Sequence, residues 1–217
     1  MTLAALQDDA ARFGVHLLIG SLALKDPKGD DTRFVNRSFL IGPDGQVLAR
    51  YDKIHMFDVT VSETETYRES SGYRPGESAI LTDIEGVSLG MTICYDIRFP
   101  SLYRALAQGG AEILTVPSAF SPVTGVAHWD HLLRARAIET GAFVLAPAQT
   151  GTHDAQKGRA RTTYGHSLAV GPWGDVLADG GDKPGVTFVD LDPSDVKDCR
   201  QRIPSLRHDR TYAGPNE

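Results

Sequence analysis

One cysteine, one lysine and one glutamate offer the reactive chemistry in this chain of 217 residues. Cys94 closes the apolar stretch Gly90-Met-Thr-Ile-Cys94, and Tyr95-Asp-Ile-Arg-Phe-Pro100 reads as a short turn into a helix that Pro100 opens. A side chain at such a strand-to-helix turn projects from the edge of a sheet. The backbone N–H groups and helix dipole there favour a thiolate and can hold an oxyanion. On its own residues, Cys94 is either a nucleophile or a plain core cysteine. Lys53 lies in Arg50-Tyr-Asp-Lys-Ile-His-Met-Phe-Asp58 among apolar Ile54, Met56 and Phe57. It is either a snorkelling surface residue or a buried functional ammonium. An ammonium beside a thiol favours the thiolate and stabilises a tetrahedral oxyanion, so the pair makes more sense than either residue alone. Glu69, in the polar run Thr66-Tyr-Arg-Glu-Ser-Ser71, reads by itself as a solvated charge.

Other chemistries find less support. His128 and His131 are half a metal site at most, with no third ligand placed and no Cys-x-x-Cys partner, so packing or hydrogen bonding is their simpler role. The glycines at 171–174 and 180–181 match no phosphate-cradling pattern. With 22 Lys and Arg against 28 Asp and Glu, the formal charge of −6 argues against a nucleic-acid binder. The 41% apolar fraction can fill a core, and no apolar run reaches membrane-spanning length, so no membrane is expected. Cys94 and Cys199 read as free thiols in a reducing compartment, and Met1-Thr-Leu-Ala-Ala-Leu-Gln-Asp-Asp9 has no secretion pattern. The expected location is cytoplasmic.

The elements that must position these residues form one domain over 1–217. Leu3, Leu6, Ala10 and Phe13 fall at helical spacing, with Gly14 as the C-terminal stop. A strand over 16–24 follows, then a charged loop over 25–33. Strands over 37–41 and 46–51 flank Gly42-Pro-Asp-Gly45, a hairpin turn. Residues 60–75 read as an exposed loop. Strands over 79–83 and 87–94 flank Glu85-Gly86. A helix over 102–108, a strand over 113–116, a helix over 128–140 and a strand over 143–148 complete the central part. Residues 149–163 read as a loop, 167–170 and 175–178 as a third hairpin, 186–191 as a strand, and 193–202 as a closing helix. Hairpins alternating with strand–helix–strand units predict mixed sheets covered by helices, a layered α/β architecture.

The chain resembles the nitrilase superfamily of carbon–nitrogen hydrolases from about residue 3 to the tail. Tyr51-Asp-Lys53-Ile-His-Met-Phe-Asp, Tyr67-Arg-Glu69-Ser and Ile93-Cys94-Tyr-Asp-Ile-Arg-Phe-Pro carry the likeness, with steps of 16 and 41 residues from Lys53 to Glu69 and Cys94. Pro117-Ser-Ala-Phe-Ser-Pro-Val-Thr-Gly-Val-Ala-His-Trp129 and Leu133-Arg-Ala-Arg-Ala-Ile-Glu-Thr140 are most similar to the branch that hydrolyses deaminated glutathione. The omega-amidases acting on 2-oxoglutaramate are a sister branch. The resemblance implies an α-β-β-α sandwich that pairs into a homodimer, and a small-molecule amide substrate bearing a carboxylate. It implies no metal and no organic cofactor. Cys94 would attack the amide carbonyl, and Lys53 with the backbone N–H of Tyr95 would hold the oxyanion. Ammonia would leave, and water would hydrolyse the thioester. Glu69 would hold Lys53 and the incoming amide; Arg98, Phe120 and Thr124 would line the substrate pocket, Arg98 pairing a carboxylate.

The resemblance also implies a general-base glutamate in a Pro-Glu motif well upstream of the lysine, closing a strand–helix–strand unit. This sequence has no Pro-Glu before Lys53, and neither Asp8 nor Asp9 follows an apolar strand. Proton transfer of that kind is worth roughly 10²–10⁴ in rate. The sequence is therefore compatible with a shortened amidase, an N-carbamoyl or nitrile hydrolase of the same machinery, or a catalytically impaired binding module that keeps the pocket.

Overall fold

A computed structural model describes residues 2–25, 32–63, 65–154 and 160–215. Helix α1 (Leu3–Phe13) starts at Thr2, whose hydroxyl accepts the N–H of Ala5, and stops at Gly14 in the left-handed conformation (φ 64°). Strands β1 (Leu17–Lys25), β2 (Phe34–Ile41) and β3 (Val47–Asp52) form an antiparallel three-stranded sheet in that order, with a bulge in β1 between Ile19 and Leu22. Strand β2 starts three residues before the expected position 37, and residues 26–31 of the expected charged loop lie outside the described residues.

Residues 60–75, expected to be an open loop, instead contain the hairpin β4 (Asp58–Ser62) and β5 (Glu65–Arg68), followed by one 3-10 turn over Glu69–Ser71. In β4 Val59 and Val61 alternate with polar residues, a pattern that an expected loop starting at Thr60 cuts in two; the hairpin also has tertiary support, the hydroxyl of Ser121 reaching Glu65 at 3.4 Å. Strands β6 (Ile80–Ile84) and β7 (Val87–Met91) then pair around Glu85 and Gly86, both at positive φ, as a two-residue turn demands.

From β7 the chain runs through a 3-10 turn (Cys94–Arg98) into α2 (Pro100–Gln108), then β8 (Ile113–Thr115), α3 (Pro122–Thr140) and β9 (Phe143–Ala146). Helix α3 begins six residues before the expected 128: Ser121 takes the N-cap position and Pro122 the first helical one, where its missing N–H costs nothing. The expected loop over 149–163 holds another hairpin, β10 (Thr150–His153) with β11 (Arg161–Tyr164); residues 155–159 are not described. Strands β12 (Leu168–Val170) and β13 (Val176–Asp179) form the third expected hairpin, and α4 (Ser194–Arg202) closes the order. Residues 186–191 form no strand. Their apolar alternation is present, but Val186 and Phe188 are 81% and 89% exposed, with no ladder to complete the pattern.

The second sheet is six-stranded and mixed, in the order β13-β12-β9-β8-β7-β6, with β7, β8 and β9 parallel. Three apolar clusters define the layers. Ala10 of α1 packs on Ile19, Phe39 and Ile41 of the small sheet. Tyr51 meets Leu89, Met91 and Ile93 between the sheets. The largest cluster joins Leu114 and Val144 to Leu106 of α2 and to Trp129 and Leu133 of α3. The order is therefore α-β-β-α, as expected. Among the described residues, no helix is long and apolar enough to cross a membrane.

Candidate active site

Parallel strands release their loops at one sheet edge, and ligands bind in the crevice outside the carboxyl ends. Here the edge is built by continuing the ladders past β7, β8 and β9. The N–H of Thr92 reaches Thr115 O at 3.1 Å, that of Cys94 reaches Pro117 O at 3.0 Å, and that of Ser118 reaches Pro147 O at 2.9 Å. These bonds place Cys94, Ser118 and Ala148 side by side. Cys94 itself adopts φ 50°, a left-handed backbone that costs a non-glycine residue about 1–3 kcal/mol. That turn swings the thiol out of the sheet. The 3-10 turn behind it is held by buried Arg136 of α3, whose Nε donates to Ile97 O at 2.7 Å.

The resulting cavity is about 700 Å³. Cys94 and Tyr95 line it from the six-stranded sheet, and Gly20, Asn36 and Lys53 from the three-stranded sheet. Phe57, Tyr67, Arg68 and Glu69 enter from the β4–β5 hairpin. Lys53, Glu69 and Cys94 thus come from three separate segments to one surface. Lys53 is 3% exposed, so its ammonium is buried and not a snorkelling surface charge. Its Nζ donates to Glu69 Oε2, which also accepts the Phe57 N–H at 2.6 Å, while Glu69 Oε1 takes the Asn36 amide at 3.5 Å. Glu69 is therefore no solvated charge. It fixes a buried ammonium, and that ammonium needs a partner because an isolated one would be costly.

Phe120 and Thr124 line the cavity; Phe120 is almost fully buried against Trp129, ring centroids 4.8 Å apart. Arg98 is not on the lining. Its Nη2 lies 3.1 Å from His128 Nδ1, and its guanidinium stands 5.7 Å from the Phe120 ring centroid. The pair His128 and His131 is likewise divided, His131 facing Asp130 at 3.3 Å. Asp8 and Asp9 sit on α1, Asp9 paired with Arg12, away from the lining. Two lining cations, Arg68 and Arg161, were not among the expected site residues; Arg161 donates to Ala119 O at 2.6 Å and lies 5.7 Å from the Tyr67 ring centroid. Its place in a polar run gave no periodic signal. Lys53, Arg68 and Arg161 against Glu69 make this surface locally positive in a chain of net charge −6.

A thiol on a positive-φ elbow and a buried ammonium thus share one cavity on an α-β-β-α sandwich, an arrangement that can support nucleophilic chemistry. The comparisons narrow the class. The family model described as carbon-nitrogen hydrolase matches residues 1–201. Deaminated glutathione amidase of Synechocystis sp. (strain PCC 6803 / GT-S) is 45% identical over 206 residues, covering 94% of this chain and 74% of that protein. The NitFhit protein of C. elegans superposes with a TM-score of 0.84 at 37% identity, over 96% of this chain and 50% of that one. Nit3 of Saccharomyces cerevisiae, a member of branch 10 of the nitrilase superfamily, gives 0.82 at 30% identity, over 95% and 70%. The chain belongs to the carbon–nitrogen hydrolase family of the nitrilase superfamily.

Proposed function

We propose that this protein is an amidase of the deaminated-glutathione-amidase type, cleaving the C–N bond of a small carboxylate-bearing amide through a thioester on Cys94. The observation that carries the reading is the convergence of Lys53, Glu69 and Cys94 on one cavity. The Cys94 sulfur attacks the amide carbonyl, and the oxyanion that forms is held by Lys53 Nζ and the Tyr95 N–H. Collapse breaks the C–N bond, the nitrogen leaving as amine or ammonia with a proton. Water then adds to the thioester, releasing a carboxylic acid and the thiol. Glu69 keeps Lys53 aimed throughout.

The positive lining favours an anionic substrate. Arg161 and Arg68 face the cavity directly and suit a carboxylate, while Arg98 supports Phe120 from behind. Phe120 and Thr124 form the apolar and hydroxyl-bearing wall. A homodimer belongs to the same proposal, through the exposed apolar residues Val123, Val126 and Ile138 of α3. So does a cytoplasmic location, which suits two free thiols.

The test is release of amine or ammonia from deaminated glutathione, 2-oxoglutaramate, an N-carbamoyl amino acid and a nitrile, with Cys94→Ala as control. Deaminated glutathione turned over fastest, and not by Cys94→Ala, is the expected result; no release from any of the four overturns it. A second reading, a binding module without turnover, is favoured by one observation: both Glu69 oxygens are already engaged by Lys53, Phe57 and Asn36. It predicts ligand-induced thermal stabilisation that Cys94→Ala leaves unchanged, with no product.

A further inference from the structure

Between the two segments that carry Lys53 and Cys94 lies a carboxylate that the chemistry above does not use. Asp96 is two residues past Cys94 and wholly buried (0% exposed). Its Oδ1 accepts the His55 N–H at 3.0 Å and His55 Nδ1 at 2.7 Å. Its Oδ2 accepts the Ile93 N–H at 2.9 Å and the Tyr51 hydroxyl at 2.6 Å. Because a carboxylate only accepts, the ring nitrogen facing it carries the proton. Tyr51 and His55 bracket Lys53, and Ile93 and Asp96 bracket Cys94. The first segment continues β3 of the small sheet, the second β7 of the large one.

We infer that Asp96 is the positioning residue that sets the Lys53 ammonium and the Cys94 thiol in register, by taking one backbone N–H from each of their segments. The inference rests on the proposed roles of Cys94 and Lys53. Only a carboxylate satisfies this site. An asparagine offers one acceptor and one NH₂, so in either orientation its NH₂ confronts a backbone N–H, that of Ile93 or that of His55. Tyr51 could turn its hydroxyl and His55 could change tautomer, but a backbone N–H cannot adapt. An unmet buried N–H forces the elbow or the Lys53 segment to move.

Burial, and then the charge of Asp96, push the Tyr51 hydroxyl far above its ordinary value, so it remains a donor at all working pH. His55 stacks on Phe99 with centroids 3.5 Å apart and planes at 6°, and Phe99 meets Tyr95 edge-on at 5.4 Å. The same unit therefore also touches a residue of the cavity wall.

The experiment compares Asp96→Asn with Tyr51→Phe. The first removes a backbone partner, whereas the second removes one side-chain donor and leaves both backbone bonds. Three readouts are taken: melting temperature, kcat and KM for the best amide, and the rate of Cys94 alkylation by iodoacetamide at pH 7, with Cys199 mapped separately. Both variants melt lower than the parent. Asp96→Asn is expected to lose about 10–10²-fold in kcat, the scale of a misplacement near 1 Å, with KM within about threefold. Its alkylation slows, although loss of a negative charge two residues away would, acting through space alone, speed it. Tyr51→Phe keeps kcat and alkylation within about threefold of the parent.

The inference is overturned if kcat falls in proportion to melting temperature in both variants, or if Asp96→Asn alkylates as fast as the parent or faster. Alkylation needs no substrate, so a parent protein that cleaves no amide refutes the amidase reading while the positioning role is still decided. Should Asp96→Asn not fold, amide exchange in the parent decides. Matched protection of the Ile93 and His55 N–H groups supports one unit, and unrelated exchange rates overturn it.

Discussion

Replacing Glu69 by Gln would separate what the Lys53–Glu69 pair does for stability from what it does for activity. Lys53 is 3% exposed and the Glu69 side chain 15%, so solvent screens the pair little. Removing one partner of a buried pair strands the other charge and costs roughly 3–5 kcal/mol. Gln keeps the shape and one acceptor for the Phe57 N–H, which puts the loss at the lower end, about 3 kcal/mol. In a chain of this length each kcal/mol moves the melting point by about 2–4 °C, so a fall of roughly 6–12 °C is expected. The double variant Lys53→Met/Glu69→Gln removes the stranded charge as well. Neutral replacement of a buried pair is often harmless to stability, so its melting temperature should return to within about 3 °C of the parent. Amide hydrolysis should not return: without the ammonium the oxyanion loses a donor worth about 10²–10³ in kcat. Calorimetry and amine release on four proteins, the parent, Glu69→Gln, Lys53→Met and the double variant, supply the measurements. A single variant that melts within 2 °C of the parent would refute the reasoning, and so would a double variant whose loss is the sum of the two singles.

The two thiols should differ sharply in reactivity. Burial pushes the Cys199 thiol up and its Sγ donates to Pro172 O at 3.3 Å, so it stays protonated at neutral pH; one equivalent of iodoacetamide at pH 7 should label Cys94 alone, as read by peptide mapping. Gly125→Ala should destabilise by about 1–2 kcal/mol, seen as a lower urea midpoint, because the added methyl would stand 2.3 Å from the Tyr164 ring and overpacking outweighs the gain in helix propensity. Hydrogen bonds from the Ser70 hydroxyl and N–H hold the Asp58 carboxyl below its ordinary value of 3.8. A carboxyl lowered by folding stabilises above that value and loses the contribution as pH falls through the lower, folded one. Ser70→Ala should therefore bring the Asp58 titration, followed by NMR, back up towards 3.8.

Much of the fold was legible because its punctuation is local. Gly14, Glu85-Gly86 and Pro100 act through their own backbone preferences, and the structure uses each where the sequence placed it. Ser121-Pro122 carried an equally local signal for the start of α3, which the apolar spacing of the later turns obscured. The misread segments depend on partners elsewhere. The β10–β11 hairpin is largely polar and gains its place through contacts such as Tyr164 N–H to Phe120 O at 3.0 Å, while β4 offers only Val59 and Val61 as a short apolar face. Residues 186–191 err in the opposite direction, since alternation specifies which face an element would bury but not whether a neighbour is there to bury it.

The site divides along the same line. The contiguous turn at Cys94 narrows it to nucleophile or core cysteine, whereas Lys53 and Glu69 stand out only through the family resemblance, since on their own residues they read equally as surface charges. What joins them is not contiguous at all. Asp96 reaches back 45 residues to Tyr51 and 41 to His55, and the two segments belong to different sheets. Nothing in the linear pattern marks Asp96 apart from an ordinary helix-start aspartate, whose carboxylate would accept local N–H groups in the same way. Its bond to the Ile93 N–H is such a local contact, while those to Tyr51 and His55 cross the sheet interface. A residue that caps its own turn and fastens a second sheet can be lost only at the expense of both, so positioning at this site should fail abruptly on its substitution. Graded failure is expected instead on the rim, where Arg161 and Arg68 share the positive lining and either can compensate in part for the other.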